Sequence, residues 1–468
     1  MEGKNPDDRA RRPSDDERGR SDMADAPKDA TPQGKKTPTG GTQRPVDITL
    51  FGATGFVGKI LAGWLAEHAP KDVTIALAGR NREKLVFLKQ QLLTVHQGVM
   101  DWRIVEADAF DEDAMTELAK NTRVVISTVG PFVRYGEDLV RACAEAGTHY
   151  VDSTGEVLFM RKMIDKYDDV AKAHGARIIH ACGFDSVPSD IGMLLISEAA
   201  AKDGKKLAEV TNLVSMRGAM SGGTVESARE QFQAAQRDPE QRRVLADPYS
   251  LSPAREAEPE LGEQPDYGVL QTETVGAPEG WAGPFLMASV NTRVVRRSNA
   301  LSGFKYGKSL RYREFQATGP GLKGRAQAYA MGGVHRTMLT AMKAPKLRDF
   351  ISQWAPEPGE GPTSKAQENG YFRCVFHGFV KPNPAPNVEP DYIATLYSQG
   401  DPGYRSTSRM LGTAALTLLK DEAELPGAEG GVLTPATGLG MVYVRRLRES
   451  GMRLDVARGG LYRTSTPQ

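Results

Sequence analysis

Three glycines, Gly52, Gly55 and Gly58, stand three apart, directly after the apolar β-branched run Val46–Phe51 and directly before an apolar, helix-like stretch. A dinucleotide pyrophosphate needs three things from a chain: a sharp turn off a strand, close approach of backbone, and unpaired amides at a helix N-terminus. Gly52 suits the turn, Gly55 the close approach, and Gly58 the packing of helix on strand. Ala53, Thr54, Phe56 and Val57 complete the segment, and Thr54 adds a hydroxyl. Taken alone the triplet is weak evidence. Its place at the end of the first strand of an alternating unit gives it weight. The competing reading is a tight turn without a ligand.

The second strand reports on the ribose. It ends in LAGRNREKL, with Arg80 and Asn81 where an NAD site places an acid, and no acid before Glu83. A guanidinium grips a 2′-phosphate with parallel hydrogen bonds, whereas a carboxylate repels it. The expected cofactor is therefore NADP(H). The plainer alternative is that Arg80 and Arg82 only solvate a helix start. At the end of the fourth strand, VVISTVGPF places Ser127, Thr128, Val129 and Gly130 along the cofactor, with Pro131 and Phe132 stiffening the loop. A Gly-Pro turn without a ligand is the alternative there.

These residues need a scaffold, and the pattern supplies one. Strands are expected at Val46–Phe51, Val73–Ala78, Trp102–Glu106, Val124–Thr128, His149–Asp152 and Arg177–Ala181. Helices are expected at Gly55–His68, Arg82–Leu93, Asp111–Lys120, Gly136–Ala146 and Val157–His174. Short Val/Ile-rich strands without polar alternation belong to a parallel sheet covered on both faces. The fold class is thus α/β, a Rossmann-type doubly wound parallel sheet with a second α+β domain. Residues 1–45 hold almost no apolar side chain and read as a disordered tail, with Met23 as an alternative start. Residues 46–182 form the NADP-binding domain and 183–385 the α+β substrate domain. The latter shows β-like runs at Leu213–Met216, Leu286–Val295 and Tyr371–Val380, and a polar connection over Asp247–Asp266. Residues 386–468 read as a C-terminal helical segment packing back on the core, with helices in Gly403–Lys420 and Gly440–Ser450.

Composition narrows the function classes. The 468 residues carry a net charge of +1, which argues against nucleic acid as a partner. Cys143, Cys182 and Cys374 lie far apart without CxxC spacing, against a disulfide framework or a metal site. No apolar stretch approaches the roughly eighteen residues that span a bilayer, and the N-terminus lacks a signal core. A cytoplasmic protein is expected.

STVGPFVRYGEDLVRACAEAGTHYVDSTGE, followed by ACGFDSVPSDIG, resembles the saccharopine dehydrogenase-like oxidoreductases. More narrowly, AMSGGT, NTRVVRRSNAL, PEPGEGP, QGDPGY and GGVLTPATGLG are similar to the trans-acting enoyl reductase branch, over roughly Val46 to Ser450. The resemblance implies an NADP-binding Rossmann domain and a second domain that reduces lipid or polyketide-type substrates, free or carrier-bound. It also implies a place in glycolipid biosynthesis and peripheral contact with the plasma membrane. No amino-acid-binding arginine constellation is evident, which speaks against saccharopine as substrate.

Conjugate reduction of an enoyl thioester develops negative charge on the thioester oxygen, so donors should converge there. Candidates are Tyr135, Tyr150, Ser186, Ser221 and Thr224, with Gly222 and Gly223 allowing backbone to approach a ligand. In GFDSVPSD, Gly183 permits a turn, Asp185 and Ser186 offer polar groups, and Pro188 fixes the exit; helix capping is the competing role for Asp185 and Asp190. No Tyr-x-x-x-Lys pair stands where short-chain dehydrogenases carry their proton donor, and His180 reads as a satisfied core residue. The proton donor stays unassigned. Two other classes remain open: a redox-silent NADP-binding protein associated with lipid or membrane, and an NADPH-dependent carbonyl or imine reductase.

Overall fold

In the computed structural model the described residues are 44–218, 222–262, 264, 268–341, 362–427 and 429–459. Most of the expected tail lies outside them. Arg44 does not belong to a tail: its guanidinium donates to the Thr122 carbonyl at 2.7 Å and the Thr148 hydroxyl at 2.6 Å, and also to the Ala146 carbonyl. These acceptors belong to the ends of neighbouring elements, where carbonyls lack ladder partners.

The first sheet is built from β1 (Val46–Phe51), β2 (Ile75–Gly79), β3 (Arg103–Glu106), β4 (Thr122–Ser127), β5 (His149–Asp152) and β6 (Arg177–Ile179). Between them run α1 (Phe56–His68), α2 (Arg82–Leu93), α3 (Glu112–Lys120), the single turn α4 (Phe132–Tyr135), α5 (Glu137–Ala146) and α6 (Val157–His174). All pairings are parallel, in the order β3-β2-β1-β4-β5-β6. Ile48, Leu50, Val124, Val125 and Ile126 are completely buried, which is why these strands read as unbroken apolar runs. The strand order reverses between β1 and β4. In an open sheet of this kind ligands bind at that switch point, beyond the carboxyl ends of the strands.

Beyond β6, α7 (Val187–Lys202) leads into a second sheet. It comprises β7 (Glu209–Arg217), β8 (Leu270–Gln271), β9 (Trp281–Pro284), β10 (Arg311–Gly319), β11 (Tyr371–Phe379), β12 (Tyr392–Gln399) and β14 (Arg453–Arg458). Their order is β14-β12-β11-β7-β10-β9-β8, and only β7 and β10 pair in parallel. The expected α/β class with a second α+β part is the architecture found.

Two expectations are corrected. Leu286–Val295, which reads as β-like, lies mostly in a helix, Ala288–Leu301. Its valines suggest a strand, but Val290 and Val294 stack one turn apart on a buried face. Its arginines are held by carbonyls: Arg296 donates to Pro248 at 3.1 Å, and Arg297 to Leu251 and Val432 at 2.6 Å each. Residues 386–468 are not only helical. They supply β12, β14 and a three-residue strand β13 (Gly431–Leu433) that pairs with β6 as the seventh strand of the first sheet. A strand that short carries no periodicity to read. The helices Thr407–Lys420 and Pro435–Glu449 lie between these strands, and Thr407–Lys420 packs against α1, β4 and β5. Among the described residues no helix is long and apolar enough to cross a membrane.

Candidate active site at the carboxyl edge of the first sheet

The turn after β1 is set by sterics. Gly52 has φ +87°, which side-chain-bearing residues rarely adopt, and a Cβ there would stand 2.7 Å from both Thr128 Oγ1 and Val129 Cγ2. A Cβ on Gly58 would come within 2.2 Å of the Gly52 carbonyl oxygen, so only glycine lets α1 lie this close to the strand end. The amides of Gly52 and Ala53 donate to Ala78 at 3.0 and 3.2 Å, and that of Gly55 donates to Gly52 at 3.0 Å. Gly55 caps α1 without a side-chain acceptor. Among the described residues, no acceptor meets the amides of Thr54, Phe56 or Val57. A positive helix end with unpaired amides is what an anion needs.

The other expected cofactor residues surround this turn. Arg80 is exposed just past β2. The Asn81 side chain accepts from the Lys84 amide at 2.8 Å and so caps α2. Thr128 braces the turn, its hydroxyl donating to the carbonyls of Phe51 and Gly52 at 3.2 Å each. Ser127 is buried, Val129 and Pro131 are half-buried, and Gly130 is exposed. Phe56 also packs edge-on against Tyr404 of the QGDPGY turn, ring centroids 4.7 Å apart.

On the other side of the switch point the edge is made of carboxylates. Two of them, Asp152 and Glu156, escaped the sequence reading; their signal was the acid pair in VDSTGE at a strand end. Asp152 accepts from His180 Nδ1 at 2.7 Å and from the amides of Thr154 and Ala181 at 3.0 and 3.1 Å. Glu156 accepts from the amides of Phe132 and Val133 at 2.8 and 2.7 Å and from the Ser227 hydroxyl at 2.6 Å. It thereby fixes the loop after Pro131 to the helix Gly222–Arg237. Burial raises its carboxyl above the usual range, while these donors pull it back. Asp190 is buried and accepts from the Ser298 hydroxyl and from the Ala436 amide at 2.7 Å, capping helix Pro435–Glu449 rather than its own. Burial lifts its carboxyl to about 7. Asp185 stands in the β6–α7 connection, half-buried, and among the described residues it has no hydrogen-bond partner. Burial lifts it also to about 7.

Of the candidate donors, one is committed elsewhere and another is buried without a partner among the described residues. Tyr150 is fully buried in β5, and burial, aided by the Asp152 charge, pushes its phenol far above the ordinary value. Ser186 is buried and donates to Asn291 Oδ1 at 3.0 Å; Asn291 in turn donates to Glu314 at 2.9 Å. Tyr135 packs against Phe110, ring centroids 5.3 Å apart. Ser221 and the Thr224 side chain lie outside the described residues. Gly222 and Gly223, expected to let backbone approach a ligand, open the helix Gly222–Arg237. His180 is 3% exposed and held by Asp152, with a cavity of about 10 Å³, room for one water, against its ring.

Residues 48–179 match the family described as saccharopine dehydrogenase NADP binding domain. The chain is similar to a provisionally named trans-acting enoyl reductase of Mycobacterium tuberculosis, 42% identical, covering 89% of this chain and 99% of the relative. It is also similar to the trans-acting enoyl reductase of Mycobacterium ulcerans, 38% identical with the same coverage. Among solved structures it is similar to saccharopine dehydrogenase (L-Glu forming) of Saccharomyces cerevisiae, at 12% identity and TM-score 0.48, covering 88% of this chain and 99% of that one.

Proposed function

We propose, for a chain that belongs to the trans-acting enoyl reductases of the saccharopine dehydrogenase-like oxidoreductases, that its substrate is an α,β-unsaturated acyl thioester on a lipid or polyketide chain. It is an NADPH-dependent oxidoreductase. When bound, NADPH supplies a hydride; the chain binds, orients and manages the proton. The amides of Thr54, Phe56 and Val57, with the positive end of α1, suit the pyrophosphate. Arg80 suits the 2′-phosphate, and the Ser127–Pro131 loop, anchored through Glu156, borders the opposite end of the site. The acyl chain belongs to the second sheet's side, and a carrier delivers it.

The observation that supports this reading best is coverage. Similarity to named enoyl reductases extends over 99% of their length and so includes the second sheet as well as the nucleotide-binding part. The test is NADPH oxidation with 2-enoyl thioesters of increasing length. Turnover per unit concentration should rise with chain length, by at most the roughly fourfold per methylene that corresponds to about 0.8 kcal/mol of burial. Oxidation with carbonyl or imine substrates only would move the assignment to that class. The redox-silent reading is favoured by one observation, the burial of Tyr150 and Ser186; NADPH binding without oxidation by any substrate would establish it.

A further inference from the structure

We infer, resting on the enoyl-reduction reading, that Asp185 is the catalytic acid that protonates the substrate carbon next to the thioester carbonyl. Four carboxylates line the carboxyl ends of β5 and β6. Three are committed: Asp152 to His180 and two amides, Glu156 to two amides and Ser227, Asp190 to Ser298 and Ala436. Asp185 alone of the four has no hydrogen-bond partner among the described residues and is partly open to solvent.

Its position fits the task. A Cβ built on Gly155, in the β5–α6 connection, would lie 3.4 Å from Asp185 Oδ2 and 3.5 Å from the Met287 methyl. Thus Asp185 stands beside the next strand's connection, on the edge where ligands of such sheets bind, with the small residue Gly155 as a neighbour. The preceding residue is fixed, since the Phe184 amide donates to Thr407 Oγ1 at 3.0 Å and its ring packs on Phe372 at 5.0 Å. Among the described residues no charged neighbour shifts its ionisation; burial alone raises it. The carboxyl is therefore half protonated at about pH 7, where an acid both holds a proton and gives it up readily.

The step balances. The hydride from NADPH forms the new C–H bond at the β-carbon, and the electron pair of the double bond moves toward the thioester. The Asp185 O–H bond breaks, its proton forms the second C–H bond at the α-carbon, and the carboxylate left behind is reprotonated from water. NADPH is oxidised and the double bond reduced.

The experiment compares wild type with Asp185→Asn and Asp185→Glu in the full-length protein, using a 2-enoyl thioester and NADPH. Asp185→Asn should lower kcat by about 100-fold or more and leave the Kd for NADPH, read by its fluorescence, within twofold. Asp185→Glu should restore a tenth or more of the wild-type kcat. The wild-type kcat should decline above about pH 7, and the residual rate of Asp185→Asn should lack that decline. Independently of turnover, carboxyl carbon NMR of aspartate-labelled protein should show one resonance that titrates near neutrality and is missing from Asp185→Asn. An active wild type whose Asp185→Asn variant keeps both kcat and the alkaline decline overturns the inference alone. So does a wild type whose aspartate resonances, the one lost in Asp190→Ala aside, all titrate near 4, even if Asp185→Asn fails to fold. A wild type that oxidises NADPH with no enoyl thioester overturns the reading beneath it, and the inference with it.

Discussion

The turn after β1 and the ends of β5 and β6 share one edge of one parallel sheet, yet they are made of different material. On the β1 side the unpaired groups are backbone amides, and the side chains there, Thr128 and Asn81, serve to hold the backbone in place. On the β5–β6 side the groups at the edge are carboxylates, and the amides are spent on holding them. An anion-binding end must keep donors unpaired and exclude negative charge. A proton-handling end needs an acid that is desolvated without being paired. The sheet separates the two by the width of a few strands, which keeps the carboxylates away from phosphates that they would repel.

The largest expected effect breaks the backbone side. Gly58→Ala puts a Cβ 2.2 Å from a backbone carbonyl that cannot swing away, so α1 must move off the strand. The loss should be about 3 kcal/mol in urea unfolding, with NADPH affinity falling with it. Gly63, in the same helix, has nothing within 4 Å of its Cβ position. Gly63→Ala should therefore stabilise by about 0.5–1 kcal/mol and leave NADPH binding alone. Equal behaviour of the two variants would show that the close approach at Gly58 does not hold the turn.

Next comes the carboxylate side, where burial raises both Asp185 and Asp190 but only Asp190 has hydrogen-bond partners among the described residues. Asp190→Ala strands the Ala436 amide in a buried place, while Ser298 keeps Val294 and Thr434 as partners, and should cost about 1–3 kcal/mol. Asp185→Asn strands nothing. The sign with pH follows from the direction of the shift. The folded Asp185 carboxyl titrates near 7 and the unfolded one near 4, so the folded state holds the extra proton between them. Stability from this group is therefore present below about pH 4 and is lost as pH rises toward 7. Asp185→Asn removes that loss and should be more stable than wild type at pH 8, on the order of a few kcal/mol. Denaturant midpoints at pH 5 and pH 8 check it; a variant less stable than wild type at both would mean that the carboxylate has a partner.

The same division explains what could be read in advance. A backbone-built site leaves a mark in the sequence, because Gly52 and Gly58 are positions where no other residue fits, and spacing fixes their order. The six strands of the first sheet were legible for a related reason: burial on both faces forces continuous apolar runs. Carboxylate roles leave no such mark. Asp185 and Asp190 look alike in GFDSVPSD, and only the helix Pro435–Glu449, some 246 residues away, decides that Asp190 is a cap. Asp152 and Glu156 were missed because their partners, His180 and Ser227, are distant in sequence. The helix Ala288–Leu301 was misread because its buried arginines depend on carbonyls from other segments, which no local pattern records.

The smallest effect sharpens the comparison at its far corner, where charge matters but the carboxylates are remote. Arg80 is exposed one residue past β2 and forms no ion pair or side-chain hydrogen bond among the described residues. Asn81 beside it is spent on capping α2 and Arg82 already lies within that helix, so Arg80 is the cation nearest the strand end. A paired guanidinium–phosphate contact at an open site contributes about 1.4 kcal/mol, a factor of ten. Arg80→Ala should therefore weaken NADPH about tenfold, leave NADH nearly unchanged, and leave the unfolding midpoint where it was. Arg80→Lys should recover part of the loss, since an ammonium keeps the charge and gives up the parallel bonds. Fluorescence titration with both cofactors decides: if the two weaken equally, Arg80 supports the turn as a whole and the ribose phosphate is recognised elsewhere.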